Sequence, residues 1–165
     1  MTHRIVLIEA QQDVASPLMR ALRDQGYDPV DHYYSVDGFL NQDTGPDGAD
    51  RAPACIVVAQ EVQGLKPLPF ADRVRRGKTH LARATPLILT AYLTDISQIT
   101  AARDHGIDEV CAKPLRPNNL LAKLNQLISN PRPFVISRRY TGPDRRRHND
   151  PAPVTGERRG QSDAG

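Results

Sequence analysis

The residues best suited to chemistry in this chain are the arginines of its C-terminal stretch, residues 138–159, RRYTGPDRRRHNDPAPVTGERR. The stretch has seven arginines, no lysine and one tyrosine, with Asp144, Asp150 and Glu157 set among them. Lysine and arginine serve equally as point charges, but only arginine offers a planar fork that bonds in pairs and stacks on a ring. Carboxylates inside the run weaken a general attraction for anions, so the pattern points to a ligand that is both anionic and aromatic. Arg147 and Asp150 stand in an R-x-x-D arrangement. A guanidinium bonds bidentately to the O6/N7 edge of guanine, worth ~1–3 kcal/mol. A carboxylate accepts the N–H donors of the opposite edge, so the two side chains together read guanine and reject adenine. Tyr140 and the spare arginine planes supply stacking surfaces, at ~1–3 kcal/mol per base.

Gly142 and Pro143 are expected to turn the chain so that Arg138 and Arg139 face the same ligand as Arg145, Arg146 and Arg147. A smaller cluster, Gly156, Glu157, Arg158 and Arg159, repeats the theme after a proline-containing spacer. Asp144 has a second reading, because an aspartate after Gly-Pro commonly caps a local turn. The bland reading of the whole stretch is a solvated basic tail with weak attraction for nucleic acid or anionic lipid.

The charge distribution sets this tail apart. Residues 1–129 hold fourteen Lys/Arg against fifteen Asp/Glu, whereas residues 130–165 hold eight Arg against four acids. The high pI is therefore a property of the tail, and the front of the chain is nearly neutral. Residues 130–165, rich in proline, glycine and arginine, have the composition of a segment that is disordered without ligand. Phe134, Val135 and Ile136 are its one apolar cluster. No apolar run reaches the roughly 18–20 residues of a spanning helix, and the start lacks the long apolar region of a secretory signal. The expected location is the cytoplasm. Cys55 and Cys111 lie in apolar runs and read as small buried hydrophobes. The five histidines lack metal-ligand spacing with either cysteine, so no metal is expected.

The front domain, residues 1–129, must supply the frame. RIVLIE (residues 4–9), residues 28–33, ACIVVA (54–59), TPLILTA (85–91) and residues 108–112 read as strands of the buried parallel type. Helical spacing follows each: Val14, Leu18, Met19 and Leu22 with Pro17 in the first turn, then residues 36–41, 70–76, 95–105 and 115–129. The last has an apolar face of Leu120, Leu121, Leu124, Leu127 and Ile128. Gly26 and Gly106 read as helix stops, and QDTGPDGADRAP (42–53) as a surface loop. The prediction is an α/β fold, a five-stranded, doubly wound parallel sheet of flavodoxin-like type. Ligands in such folds gather at the carboxyl ends of the strands.

This order of elements, with LTAY (89–92), DHGIDEVCAKPL (104–115) and NLLAKL (119–124), resembles a response-regulator receiver domain over roughly residues 3–129. Thr90 and Lys113 match the family's switch threonine and conserved lysine. The family's paired acids after the first strand fall on Glu9 and Ala10, and its phosphorylated aspartate falls on Ala59. Phosphoryl transfer needs a carboxylate nucleophile and a divalent cation held by several oxygens. Alanine offers neither, and Glu61, two residues beyond the strand end, is not expected to substitute. Val110 stands where the switch aromatic would be. The expectation is a pseudo-receiver that is not phosphorylated, in which Thr90 and Lys113 persist as parts of the fold.

Guanine rings and phosphates in one compact ligand fit cyclic di-GMP, which has two of each and can self-associate as an intercalated dimer. The degenerate receiver followed by YTGPDRRR…GERR resembles the CheY-like cyclic-di-GMP effectors known as Cle proteins. That resemblance implies a ligand role for Arg139, Tyr140, Asp144, Arg145, Arg146, Arg147, Asp150, Arg158 and Arg159. It also implies a tail that orders on binding and a liganded protein that docks on the flagellar motor switch, modulating motility and surface attachment. Two rivals stand beside it: an adaptor whose basic tail binds nucleic acid, and a phosphorylated response regulator using Glu61. No nucleophile–base pair or metal cluster favours an enzyme.

Overall fold

Short apolar runs with β-branched residues form the strands of a computed structural model that describes residues 2–42 and 52–146. The order is β1 (Ile5–Ile8), α1 (Gln12–Asp24), β2 (Val30–Tyr33), α2 (Val36–Gln42), β3 (Cys55–Ala59), α3 (Pro67–Arg75), β4 (Leu87–Ala91), α4 (Ile96–Asp104), β5 (Glu109–Ala112) and α5 (Pro117–Ser129). A hairpin of β6 (Phe134–Ile136) and β7 (Thr141–Pro143) completes it. The five-stranded sheet runs β2-β1-β3-β4-β5, and every pairing is parallel. The expected α/β architecture is the observed one.

Alternation along the central strands divides the core into two layers. Val6, Ile8, Ile56 and Val58 pack with Phe39 of α2 and with Phe70 and Val74 of α3. Ile5, Leu7, Val57 and Ile88 pack with Leu18 and Leu22 of α1 and with Leu120 and Leu124 of α5. Each fully buried aliphatic side chain contributes about 1.5–3 kcal/mol, so this double layer dominates the stability. Cys55 and Cys111 are buried free thiols in it, and burial pushes Cys111 up to about 11. Among the described residues, no helix is long and apolar enough to cross a membrane.

One local expectation needs correction. Pro17 falls in the second turn of α1, not the first, because the helix already begins at Gln12. Its missing N–H removes one ladder bond, and the buried Ala15, Leu18 and Leu22 hold the helix on the sheet regardless. The hairpin belongs to the first part of the tail. Within it, Phe134 pairs with Pro143, Val135 with Gly142 and Ile136 with Thr141. Residues 147–165 lie outside the described residues.

The hairpin's place is set by Arg75, the last residue of α3, which is 2% exposed. Its Nε donates to Gly106 O at 2.9 Å. Nη1 donates to Arg83 O at 2.6 Å and Thr85 O at 2.7 Å, and Nη2 to Asp108 Oδ2 at 2.8 Å. The same carboxylate oxygen accepts the Leu87 N–H at 2.8 Å. Burial lowers the pKa of the guanidinium and raises that of Asp108, while each charge opposes the shift of the other. The Phe134 ring lies 5.8 Å from the guanidinium carbon, within cation–π range. Gly106, at φ +89°, ends α4 and lies so close to the Arg75 stem that a Cβ would come within 2.6 Å of it. The hairpin is thereby fixed where α3 ends and β4 and β5 begin.

Removing one partner of a buried, hydrogen-bonded ion pair costs about 3–5 kcal/mol. Arg75→Ala should lower the urea midpoint by a corresponding amount, measured by far-UV circular dichroism. A shift below about 1 kcal/mol would show that the network contributes only what an exposed pair does.

Candidate functional sites at the two ends of the sheet

The carboxyl ends of the strands bring Glu9, Ala59, Thr90 and Lys113 together, as expected from sequence. Ala59 and Thr90 are directly paired across β3 and β4 and are both buried. Lys113, just after β5, projects its ammonium inward with a side chain only 4% exposed. Nζ donates to Glu9 Oε2 at 3.0 Å and to Glu61 Oε2 at 2.8 Å. Glu9 is itself fixed: Oε1 accepts the Gln11 N–H at 3.0 Å, and its carbonyl meets His32 Nε2 at 2.8 Å. Ala10 follows on the loop to α1 and offers no oxygen from its side chain.

Glu61, two residues beyond the strand end, is not expected to replace the missing phosphoacceptor. Its side chain nevertheless reaches Lys113, because the chain turns immediately after β3. Burial alone would lower the pKa of Lys113, but the hydrogen bonds and charges of Glu61 and Glu9 outweigh it and hold the ammonium above its ordinary value. The lysine is charged and satisfied without any phosphoryl group. Tyr92, 58% exposed, lies with its ring 5.7 Å from Nζ. Among the described residues no group of three or more His, Cys, Asp or Glu side chains is placed to hold a metal ion.

The tail lies at the other end. Residues 137–140 make the chain reversal, with the Ser137 N–H donating to Tyr140 O at 2.8 Å. Arg138 and Arg139 therefore sit at the tip, and Gly142 and Pro143 lie in β7 rather than in the turn. Gly142 is needed for a different reason from the one expected. A Cβ there would come within 2.5 Å of the Tyr140 hydroxyl and 3.2 Å of Gly106 Cα. As a result Arg139 and Arg145 stand at opposite ends of the hairpin, which does not bring the two arginine groups together.

Tyr140, Asp144 and Arg145 do form one cluster. The Arg145 guanidinium lies 4.1 Å from the centre of the Tyr140 ring and pairs with Asp104 at the end of α4. This places a cation beside an acid that a helix C-terminus disfavours. The Tyr140 hydroxyl donates to Pro143 O at 2.8 Å. Burial raises its pKa, with the Arg145 and Arg75 charges opposing. Asp144 caps a turn, accepting the Arg146 N–H on Oδ1 at 3.0 Å, while its own N–H donates to Pro133 O at 2.7 Å. Arg146 is exposed beside it. Arg147, Asp150, Arg158 and Arg159 lie outside the described residues, so the R-x-x-D pair has no structural account.

Gly142→Ala should displace the Tyr140 ring and loosen the hairpin. Hydrogen exchange should then lose protection at the Ser137 and Asp144 amides, while Ile56 in the sheet keeps its own. Unchanged protection at all three would show that the close approach is dispensable.

No protein-family profile matches the chain, and no curated protein matches it. Solved structures do. A response regulator from Chloroflexus aurantiacus, described as putative, superposes with a TM-score of 0.67 at 22% identity, covering 79% of this chain and 100% of that one. DrrB, an OmpR/PhoB homolog of Thermotoga maritima, gives 0.67 at 17% identity, covering 84% of this chain and 58% of that one. Chemotaxis protein CheY4 of Vibrio cholerae gives 0.64 at 16% identity, covering 76% and 98%. The fold of residues 3–129 is that of a response-regulator receiver domain.

Proposed function

We propose that the chain is a non-enzymatic signalling protein, a pseudo-receiver whose input is cyclic di-GMP bound by its arginine-rich tail. The observation that carries the first half is Ala59, a methyl group where the receiver fold holds its phosphoacceptor, beside a Lys113 already neutralised by Glu9 and Glu61. With no nucleophile at the strand end, the receiver frame has to take its signal elsewhere. The Tyr140–Arg145 stack supports the second half, since an aromatic face paired with a guanidinium is the hardware for holding a purine. The guanine-reading role belongs to Arg147 with Asp150. Arg139, Arg146, Arg158 and Arg159 supply further contacts to bases and phosphates.

In this reading the segment beyond the hairpin orders around the ligand, singly or as an intercalated dimer. The ordering cost, on the order of 2–5 kcal/mol, is set against the contacts formed. The output is association of the liganded protein with the flagellar motor switch at the cytoplasmic face of the membrane, which modulates motility and surface attachment. Resemblance to the Cle effectors supports that partner, as does the likeness of the fold to a chemotaxis protein.

Titration calorimetry of the intact protein with cyclic di-GMP tests the ligand. Arg147→Ala and Asp150→Ala should each weaken binding roughly 5- to 150-fold, the equivalent of ~1–3 kcal/mol for a base-reading pair. No heat from the unaltered protein sinks the proposal. The missing phosphoacceptor has its own check. Incubation with acetyl phosphate, read by intact mass, should add no phosphoryl group, and a mass gain of one phosphoryl would reinstate a phosphorylated response regulator.

A further inference from the structure

At the β5 edge of the sheet the hairpin does not close fully on the domain. A cleft of about 480 Å³ remains between the end of β7, α4, β5 and the second half of α5, a volume within the range of small-ligand sites. Arg103 of α4, Lys123 of α5, Arg132, Arg145 and Arg146 line it, against two carboxylates, Glu109 and Asp144. The domain and the tail thus both contribute cations to one concave surface.

The pairing inside the cleft leaves positive charge unmatched. Lys123 Nζ lies 3.1 Å from Glu109 Oε2, and Arg132 pairs with the other oxygen of the same carboxylate. One negative charge therefore serves two cations. Arg103 has no carboxylate partner among the described residues, and neither has Arg146. Arg145 is held by Asp104 in a pair whose side chains are 47% and 52% exposed. A pair so exposed is worth ~0–1 kcal/mol, so a phosphate that takes charge-assisted bonds from the same guanidinium displaces Asp104 at little cost. Arg145, which lines the cleft, also lies 4.1 Å from the centre of the Tyr140 ring.

We propose that the cleft is a phosphate-binding wall of the ligand site, with Arg103 and Lys123 of the domain, beside Arg145 and Arg146 of the tail, contacting the phosphodiesters of a cyclic dinucleotide. This rests on the function proposed above and extends it. The ligand then bridges α4 and α5 to the tail, which couples binding directly to the face of the receiver-like domain.

Calorimetry on the intact chain with cyclic di-GMP at one fixed salt concentration tests it. The variants are Arg103→Ala, Lys123→Ala and, as a control for diffuse charge, Arg20→Ala on α1. Loss of a charge-assisted hydrogen bond, about 1.5–3 kcal/mol, predicts affinities at least tenfold weaker for Arg103→Ala and Lys123→Ala, with Arg20→Ala within twofold of the unaltered protein. Amide shifts of Arg103, Lys123 and Gln126 on addition of ligand to the unaltered protein give a readout independent of any effect of substitution on folding. Full affinity in both cleft variants, or no shift at those amides, overturns the composite site and leaves tail binding intact. Equal weakening by Arg20→Ala also overturns it, in favour of diffuse attraction. No binding by the unaltered protein removes the ligand itself, and the composite site with it.

Discussion

The Arg75 guanidinium is the constraint on which the lower half of the molecule depends. It is buried at the end of α3, and it touches the α3–β4 connection, the turn after α4 and the carboxylate preceding β5. Its planar fork is suited to this because it satisfies several carbonyls and a carboxylate at fixed angles, which an ammonium cannot do. Once that network is closed, it presents a flat cationic surface to Phe134. A hairpin of two three-residue strands has no stability of its own. It exists here because the domain offers it a prepared place.

The two ends of the sheet differ in their electrostatics. In α/β sheets of this kind chemistry collects at the carboxyl ends of the strands, and the receiver-like fold places Glu9, Thr90 and Lys113 there. That end is electrostatically closed, with its lysine held between two carboxylates. The opposite end has open cationic surface, an exposed guanidinium on an aromatic ring, and the beginning of the arginine run. The paired lysine and the open cationic surface thus lie at opposite ends of the sheet.

Much of the frame was legible in the sequence because it is written locally. RIVLIE and ACIVVA have the composition of strands buried on both faces, and Gly26 and Gly106 end their helices at positive φ where the pattern placed them. That Ala59 ends β3 opposite Thr90 was equally legible, since it needs only the strand register. What was missed is non-local. Glu61 reaches Lys113 through a turn whose path does not follow from residue types. The hairpin pairs FVI with TGP, a partner containing both residues that argue against a strand. Its order comes from contact with Arg75, Gly106 and Asp104, far away in the chain. Gly142 was read as a turn former because glycine before proline usually is one; its actual function is to leave room for Tyr140.

The methyl group of Ala59 has a consequence in time as well as in chemistry. An acyl phosphate on a strand-end aspartate is a stored event: it outlasts the encounter that made it and ends at a rate set by hydrolysis. Alanine stores nothing. Under the proposed function, any state this domain adopts therefore persists only as long as something remains bound to it. Its memory is a residence time.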